Sequence, residues 1–429
     1  MRPWRTDRAA PGRSAVLALA LAVAAASWLA LARANSAGEG AHHFSSEGLA
    51  RVSDYIRNEV ASGKIPGAIL LIQQHGKPVY DKNFGVRDVA TELSMSADTI
   101  FRLYSMSKPV TSVAAMMLVE DGKLRLDDPV AKFIPAFADM KVGVEKKDEA
   151  GKVTLALEPL KRAITIEDLL RHTSGIPYGF YGDSPVRKLY ADADLFNADL
   201  TNAELANRIA KLPLAEQPGT LWDYGHSTDV LGRVIEIISG KTLFQFEKER
   251  LLDPLGMTDT AFYVADEAKR SRIAEPMPND QSISPSTPLS DPMKPRKAES
   301  GGAGMVGTIG DYVRFAQMLL NGGTFAGRRY LKPETIALMA SDHTSGIARD
   351  GRYYPGETSG FGLGFAVRTS VPPNTSWPTG EYRWDGVGGT FFFIDPADDM
   401  FGIFMVQTPS ERGRIQVALK KLIYGAMGR

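Results

Sequence analysis

The sequence predicts an α+β fold, an α/β sandwich in which one antiparallel sheet is built from both ends of the chain. Near the N-terminus, residues 67–85 contain an apolar run, a His-Gly turn and a second strand, which together predict a β-hairpin. Near the C-terminus, residues 390–407 (TFFFID, PADD, MFGIFMVQ) predict two more antiparallel strands around a turn. Helical periodicity dominates between these strands. The economical arrangement closes one sheet from both ends and inserts a helical region.

The remaining elements follow from apolar residues at helical spacing, from glycines suited to end helices, and from clusters of turn residues. In chain order they are an amphipathic helix at 47–63, a helix from Val110 that ends near Gly122, a hairpin with a charged, solvated tip at 141–158, a short helix that breaks into a loop at 164–180, a helix closed by Gly240 at 229–240, an irregular Pro/Ser-rich loop at 274–297 and a final helix that includes Ile415 to Ala426.

The N-terminal segment has the pattern of a secretory signal peptide. Four arginines precede an apolar, alanine-rich run at 15–32, which ends in Ala32-Arg33-Ala34. The run also reaches the lower length limit of a membrane span, so a retained N-terminal anchor is the alternative. We therefore expect residues 1–34 to direct export. Residues 45–429 would then form a single periplasmic or secreted domain that touches a membrane only if the segment is retained.

Composition excludes several classes of function. The 429 residues contain 50 Lys plus Arg and 50 Asp plus Glu, so there is no basic excess to bind nucleic acid. Cysteine is absent, which removes disulfides, thiolate metal sites and cysteine nucleophiles. The patterns Gly-x-Ser-x-Gly and His-Glu-x-x-His are also absent. No metal and no organic cofactor is implied.

The stretch FRLYSMSKPV contains a candidate nucleophile and base, Ser105 and Lys108. Pro109 lacks an N–H and is tolerated in the first turn of a helix, which places both residues at a helix start and on one face. A serine hydroxyl needs a base, and lysine can be that base only when neutral, which requires a pKa about three units below its usual 10.4. The alternative is an ordinary helix cap beside a solvated lysine, with Ser107 a bystander in either case.

The surrounding segments resemble the serine β-lactamase and penicillin-binding-protein superfamily on its class C side, and most closely the family VIII carboxylesterases. The resemblance rests on FRLYSMSKPVTSVAAMMLVEDGKLRLDDPV and on three later segments in the same order as in those families, namely HTSGIPYGF at 172–180, PLGMTDTAF at 254–262 and GGAGMVGTIGDYVRFAQMLLNGG at 301–323. It covers residues 45 to 425 and implies the β-lactamase/DD-peptidase-like fold.

The resemblance also implies roles for residues in two further motifs. WDYGHSTDV matches the family's Tyr-x-Asn element, so Tyr224 would share protons with Lys108. His226 stands where Asn is usual and is assigned to substrate binding, with a structural role as the alternative. WDGVGG matches Lys-Thr-Gly, which makes Trp384, Asp385 and Gly386 substrate-binding residues, and the N–H groups of Val387 and Ser105 would form the oxyanion hole.

These residues together predict an exported serine hydrolase that works through an acyl-enzyme, most simply a carboxylesterase acting on short neutral esters. Trp384 and Tyr178 would offer aromatic surface to a small-molecule ester or amide. Asp385 would disfavour anionic substrates if its charge faces the cleft. A β-lactamase, a D-amino-acid peptidase or an acyltransferase of the same fold stays open, as does a non-catalytic module that binds peptidoglycan.

Overall fold

One antiparallel sheet organises the molecule. The computed structural model describes residues 43–428 except 148, 150, 152 and 284–290. The predicted signal peptide or anchor at 1–34 lies outside this range. The strands are β1 (Gly67–Gln74), β2 (Lys77–Asp88), β3 (Leu93–Ser94), β4 (Phe101–Arg102), β5 (Lys141–Lys147), β6 (Val153–Pro159), β7 (Val306–Gly307), β8 (Thr324–Phe325), β9 (Arg328–Arg329), β10 (Ser359–Phe361), β11 (Ala366–Arg368), β12 (Tyr382–Asp385), β13 (Phe391–Asp395) and β14 (Met400–Val406).

The two ends of the chain meet in the middle of the main sheet. Its eight strands have the order β10-β11-β12-β13-β14-β1-β2-β3, and β1 pairs with β14 from Ala68 opposite Val406 to Gln74 opposite Met400. This pairing confirms the predicted sheet closed from both ends. The charged segment at 141–158 is also a hairpin, because β5 and β6 pair along their whole length.

The helices lie mostly between the two groups of strands, as predicted. They are α1 (Ser46–Ala61), α2 (Ser107–Glu120), α3 (Ile166–Leu170), α4 (Pro185–Asp192), α5 (Asn202–Ile209), α6 (Ser227–Ser239), α7 (Leu243–Glu247), α8 (Asp253–Leu255), α9 (Ile309–Leu320), α10 (Pro333–Met339) and α11 (Arg412–Gly425), with short 3₁₀ segments at Tyr104–Met106, Val130–Lys132, Pro135–Asp139 and Glu267–Arg272 and a π-helical turn at Lys248–Leu252. Among the described residues, no helix combines the length and the apolar character that a membrane span needs.

The sheet separates two apolar cores, and this separation positions the site. On one face, α1 and α11 pack against alternate residues of the central strands, such as Leu70 and Phe404. On the other face, Ile69 and Ile403 pack against the helical region that begins with α2. Alternate side chains of β1 therefore enter different cores, which explains its continuous apolar sequence.

Candidate active site

A tight turn at the start of α2 holds the candidate nucleophile. Strand β4 pairs with β7 and delivers the chain to the 3₁₀ turn Tyr104–Met106, which contains Ser105. Helix α2 begins two residues later, with Pro109 in its first turn as predicted. Ser107 is buried, and its hydroxyl accepts a hydrogen bond from the N–H of Met305 at 3.0 Å. Ser107 thus ties α2 to the segment before β7.

The amine of Lys108 lies beside the Ser105 hydroxyl. The distance from Lys108 Nζ to Ser105 Oγ is 3.2 Å, and the same amine donates to the carbonyl oxygen of Gly302 at 2.7 Å and to the hydroxyl of Tyr178 at 3.1 Å. The side chain is almost fully enclosed, because Lys108 is only 1% exposed. This burial lowers the pKa of Lys108 from 10.5 to about 7, although the carboxylates of Asp229 and Asp385 act in the opposite direction. A large fraction of the Lys108 amine is therefore neutral at pH 7.

Tyr224 contacts the same serine from the loop that leads into α6. Its side chain interacts with that of Ser105, and its hydroxyl accepts a hydrogen bond from Trp384 Nε1 at 3.2 Å. Burial raises the pKa of Tyr224 above its ordinary value of 10.0, so the phenol is protonated at neutral pH. The amine of Lys108 lies 4.5 Å from the centre of the Tyr224 ring. The structure therefore brings together all three residues predicted to react.

The glycine after Tyr224 fixes where this tyrosine lies. A Cβ on Gly225 would come within 1.9 Å of the carbonyl oxygen of Ile176. The Tyr224 loop can approach the 172–180 segment only because this position has no side chain. His172, from the same segment, packs its ring 4.8 Å from the ring of Tyr224.

Tyr178 has a position that the sequence does not indicate. We expected Tyr178 to offer aromatic surface to the substrate. The residue is instead buried, and its hydroxyl accepts a hydrogen bond from the amine of Lys108. Burial, aided by the charge of Asp229, raises the pKa of Tyr178 well above 10.0. Phe180 stacks on the Tyr178 ring at 4.9 Å and is 70% exposed. The exposed aromatic surface at this point thus belongs to Phe180, and Tyr178 adds a second phenol to the site.

His226 lies one layer behind the reacting groups. Its Nδ1 is 2.9 Å from a carboxylate oxygen of Asp229, and its ring meets the edge of the Tyr178 ring at 4.6 Å. Asp229 also accepts from the N–H of Gly302 at 3.0 Å. Among the described residues we find no hydrogen bond between His226 and Lys108, and Tyr178 lies between them. The structural role for His226 is therefore the better description. Asp229, which the sequence analysis missed, connects His226 to the residue that holds the lysine.

The side chains of strand β12 alternate between the two faces of the sheet. Trp384 points to the helical region, where its indole contacts Tyr224. Asp385 points to the α11 side, where Tyr354 donates to its carboxylate and Gln416 Nε2 donates at 3.1 Å. The condition under which Asp385 would repel anions, a carboxylate facing the cleft, is not met, because successive strand residues point to opposite faces. This orientation also argues against Asp385 as a substrate-binding residue. Burial also raises the pKa of Asp385 above its ordinary value.

The backbone after β12 packs closely against the turn that contains Ser105. A Cβ on Gly386 would lie 2.3 Å from the carbonyl oxygen of Leu103, and a Cβ on Gly388 would lie 2.8 Å from the ring of Tyr104. Val387 lies between these two glycines at the start of the turn. The glycines thus place the peptide of Val387 beside the segment that contains Ser105. In the part of the chain that the structure describes, no three His, Asp or Glu side chains converge as a metal site requires.

Matches to known proteins extend over nearly all of this chain. A family model described as Beta-lactamase matches residues 52–423. Protein Rv1367c of Mycobacterium tuberculosis is 35% identical, over 82% of this chain and 88% of the relative. Esterase EstB of Burkholderia gladioli is 29% identical, over 87% of this chain and 95% of the relative.

A solved structure matches the fold as well as the sequence. It is titled EstCE1, a hydrolase with promiscuous acyltransferase activity, and is 28% identical with a TM-score of 0.71. The match covers 88% of this chain and 99% of the chain of EstCE1. With the α+β architecture around Ser105, these matches show that the chain belongs to the beta-lactamase family of serine hydrolases.

Proposed function

We propose that this protein is an exported carboxylesterase that cleaves short neutral esters through an acyl-enzyme on Ser105. One observation carries the proposal. The enclosed amine of Lys108 lies 3.2 Å from the hydroxyl of Ser105, and its pKa is lowered to about 7. Such an amine can take the serine proton at neutral pH, which makes the hydroxyl a nucleophile.

The contacts of Ser105 suggest how protons move during the reaction. Ser105 Oγ attacks the ester carbonyl carbon, and its proton passes to the neutral amine of Lys108. The oxygen of the tetrahedral intermediate would accept hydrogen bonds from the N–H groups of Ser105 and Val387. Tyr224, whose hydroxyl contacts Ser105, would pass a proton to the departing alcohol and receive one from Lys108. Water then attacks the acyl group with the same proton transfers reversed, which releases the acid and restores Ser105.

The walls of the site favour a neutral, partly apolar substrate. Trp384 occupies the place of the lysine in Lys-Thr-Gly, and its indole is buried against Tyr224, so this position carries no charge. Phe180 adds exposed aromatic surface beside Tyr178. The preference for neutral esters rests on these aromatic groups, because the carboxylate of Asp385 points to the α11 side and does not line the substrate's path. The names of two relatives, Esterase EstB and Lovastatin esterase, support an ester as the substrate.

A serine-directed probe tests the nucleophile. We expect a fluorophosphonate to label the protein once, with the adduct on Ser105 in a peptide mass spectrum. Ser105→Ala should abolish both labelling and hydrolysis of p-nitrophenyl butyrate. Ser107→Ala is the matched control, because it removes a neighbouring hydroxyl that only binds the backbone of Met305. Labelling of another residue, or full activity in Ser105→Ala, would refute the assignment.

A substrate comparison tests the esterase proposal. The kcat/KM for p-nitrophenyl acetate or butyrate should exceed that for nitrocefin. A nitrocefin value equal to or above the ester values would favour a β-lactamase instead.

Acyl transfer is a second candidate, because a structural relative is titled as a hydrolase with acyltransferase activity. The acyl-enzyme would then be attacked by an alcohol or amine in place of water. Adding a primary alcohol during hydrolysis of p-nitrophenyl butyrate should yield the new ester if transfer competes. Butyrate as the sole product over the whole range of alcohol concentration would leave hydrolysis as the function.

Export is a separate part of the proposal and rests on the four arginines and the apolar run before residue 34. Expression of the full chain in a Gram-negative host should place the protein in the periplasm, with a new N-terminus near Asn35. An intact N-terminus in the membrane fraction would indicate the anchor, and cytoplasmic protein would refute export.

A further inference from the structure

A second cavity lies on the face of the sheet opposite Ser105. It is lined by strands β11–β13, by helix α11 and by the loops around Tyr354 and Trp377, it opens to the surface beside Val417, and its volume is about 270 Å³. A single water needs about 10–15 Å³, so the cavity has room for an organic molecule. Gln416 and Lys420 of α11 form one wall, and Trp384, whose indole contacts Tyr224, also lines the cavity.

Two guanidinium groups, those of Arg368 and Arg383, line the polar part of this cavity together with Lys420 and Asp385. Burial lowers the pKa of Lys420 to about 7, so its amine is only partly charged at neutral pH. One buried carboxylate, Glu381, serves both guanidinium groups and the amine, through a hydrogen bond from Arg368 at 3.3 Å, a close contact with Lys420 and a longer approach of 3.6 Å by Arg383. The carboxylate of Asp385 is occupied by Tyr354 and Gln416.

Two guanidinium nitrogens in this cluster are buried without a hydrogen bond to any residue that the structure describes. Arg368 is only 3% exposed, and within the described residues its Nε has no hydrogen-bond partner. Nη1 of Arg383 also lacks a hydrogen bond there, and its contact with Glu381 is the 3.6 Å ion pair. Guanidinium nitrogens without hydrogen bonds are costly in a buried site, whereas a planar anion can pair with a guanidinium in a forked geometry.

The remaining wall of the cavity is apolar. Phe391 and Val417 line it, together with the indole of Trp377. That indole lies 4.9 Å from the guanidinium carbon of Arg368 and 4.6 Å from the amine of Lys420. The cations and the apolar surface therefore adjoin each other, which suits a ligand with a charged end and an apolar body.

We propose that this cavity is a binding site for a small organic carboxylate, with the carboxylate on Arg368 and Arg383 and the apolar body against Trp377 and Val417. Nothing in the reaction at Ser105 requires this site. The inference is thus independent of the esterase proposal. An aromatic acid such as benzoate has the right combination of a planar anion and a flat apolar ring.

Calorimetric titration of the purified protein with benzoate tests the proposal. We expect a dissociation constant of about 1 mM or tighter. Benzamide, which has the same ring but no charge, should bind at least about tenfold more weakly. Inorganic phosphate, which has charge but no apolar body, should also bind more weakly than benzoate. Absence of benzoate binding, or equal binding of benzamide or phosphate, would overturn the proposal.

Three variants locate the bound benzoate, which matters because the catalytic cleft could also hold an acid. Arg368→Gln removes a proposed partner and should weaken binding at least about tenfold. Val417 is 51% exposed at the cavity wall, so replacing it should leave the fold intact. Val417→Glu should weaken benzoate binding and Val417→Lys should not, while both retain the melting temperature of the parent. Unchanged affinity in Arg368→Gln, or equal effects of the two Val417 variants, would overturn the assignment to this cavity.

Discussion

Replacing Lys108 with methionine should show that this buried amine destabilises the fold at neutral pH. The drop in pKa from 10.5 to about 7 corresponds to about 5 kcal/mol of preference for the neutral form in the folded state. At pH 7 the unfolded chain holds this lysine protonated, whereas only about half of the folded molecules do. Methionine has a similar shape and no ionisable group. Lys108→Met therefore removes the contribution of this protonation to the free energy of unfolding.

The pH dependence separates proton loss from lost hydrogen bonds. Between the folded and unfolded pKa values the unfolded state binds more protons, so the parent protein gains stability as pH rises from 7 towards 10.5. Lys108→Met lacks this gain. We therefore expect the free energy of unfolding of the variant, minus that of the parent, to fall by about 2 kcal/mol between pH 7 and pH 9. Loss of the bond to Gly302 changes the offset between the two proteins but not this slope.

Urea denaturation of both proteins at pH 7, 8 and 9 measures the difference. Because the two free energies of unfolding are subtracted, the contributions of all titrating groups that the variant leaves undisturbed cancel. A difference that stays constant over these two pH units would mean that Lys108 remains charged in the folded protein. That result would also remove Lys108 as the base in the proposed reaction.

Three further predictions concern activity. Tyr178→Phe and Tyr224→Phe should each lower kcat for p-nitrophenyl butyrate by about 10²–10⁴-fold with an unchanged circular dichroism spectrum, and near-parental kcat would remove that phenol from the reaction. Gly225→Ala should lose activity and melt at lower temperature, because its Cβ would lie 1.9 Å from the oxygen of Ile176; a parental melting temperature would contradict this contact. The kcat/KM of the parent should rise with pH through about 7 and then level off, as deprotonation of Lys108 requires, and a profile flat from pH 5 to 9 would exclude it.

The fold could be predicted from the chain because its strongest patterns lie where the sheet is assembled. The apolar run that becomes β1 and the two strands around PADD predict strands at both ends, and β1 pairs with β14 as that arrangement requires. The short strands could not be predicted. β10 and β11 have three residues each, which is too short for an alternating pattern to be recognised. The prediction of one domain over 45–429 stays a prediction.

The site was predictable where its geometry is local and not where it depends on distant contacts. Ser105 and Lys108 are one helical turn apart, so their spacing alone places them together. The contact of Lys108 with Gly302 joins positions 194 residues apart, and no local pattern indicates it. The direction of Asp385 could have been predicted. Once β12 is known to contain both Trp384 and Asp385, the alternation of side chains along a strand places them on opposite faces of the sheet.

The central pairing of β1 with β14 has a consequence for the time at which this protein can fold. The two strands are separated by roughly 330 residues of chain. At a synthesis rate of about 5–20 residues per second, β1 waits about 15–65 s for its partner. During that interval one edge of the apolar strand GAILLIQQ is unpaired and open to other strands. A nascent chain of this topology is therefore a natural client for chaperones, and its yield on expression should depend on them more than on the stability of the finished fold.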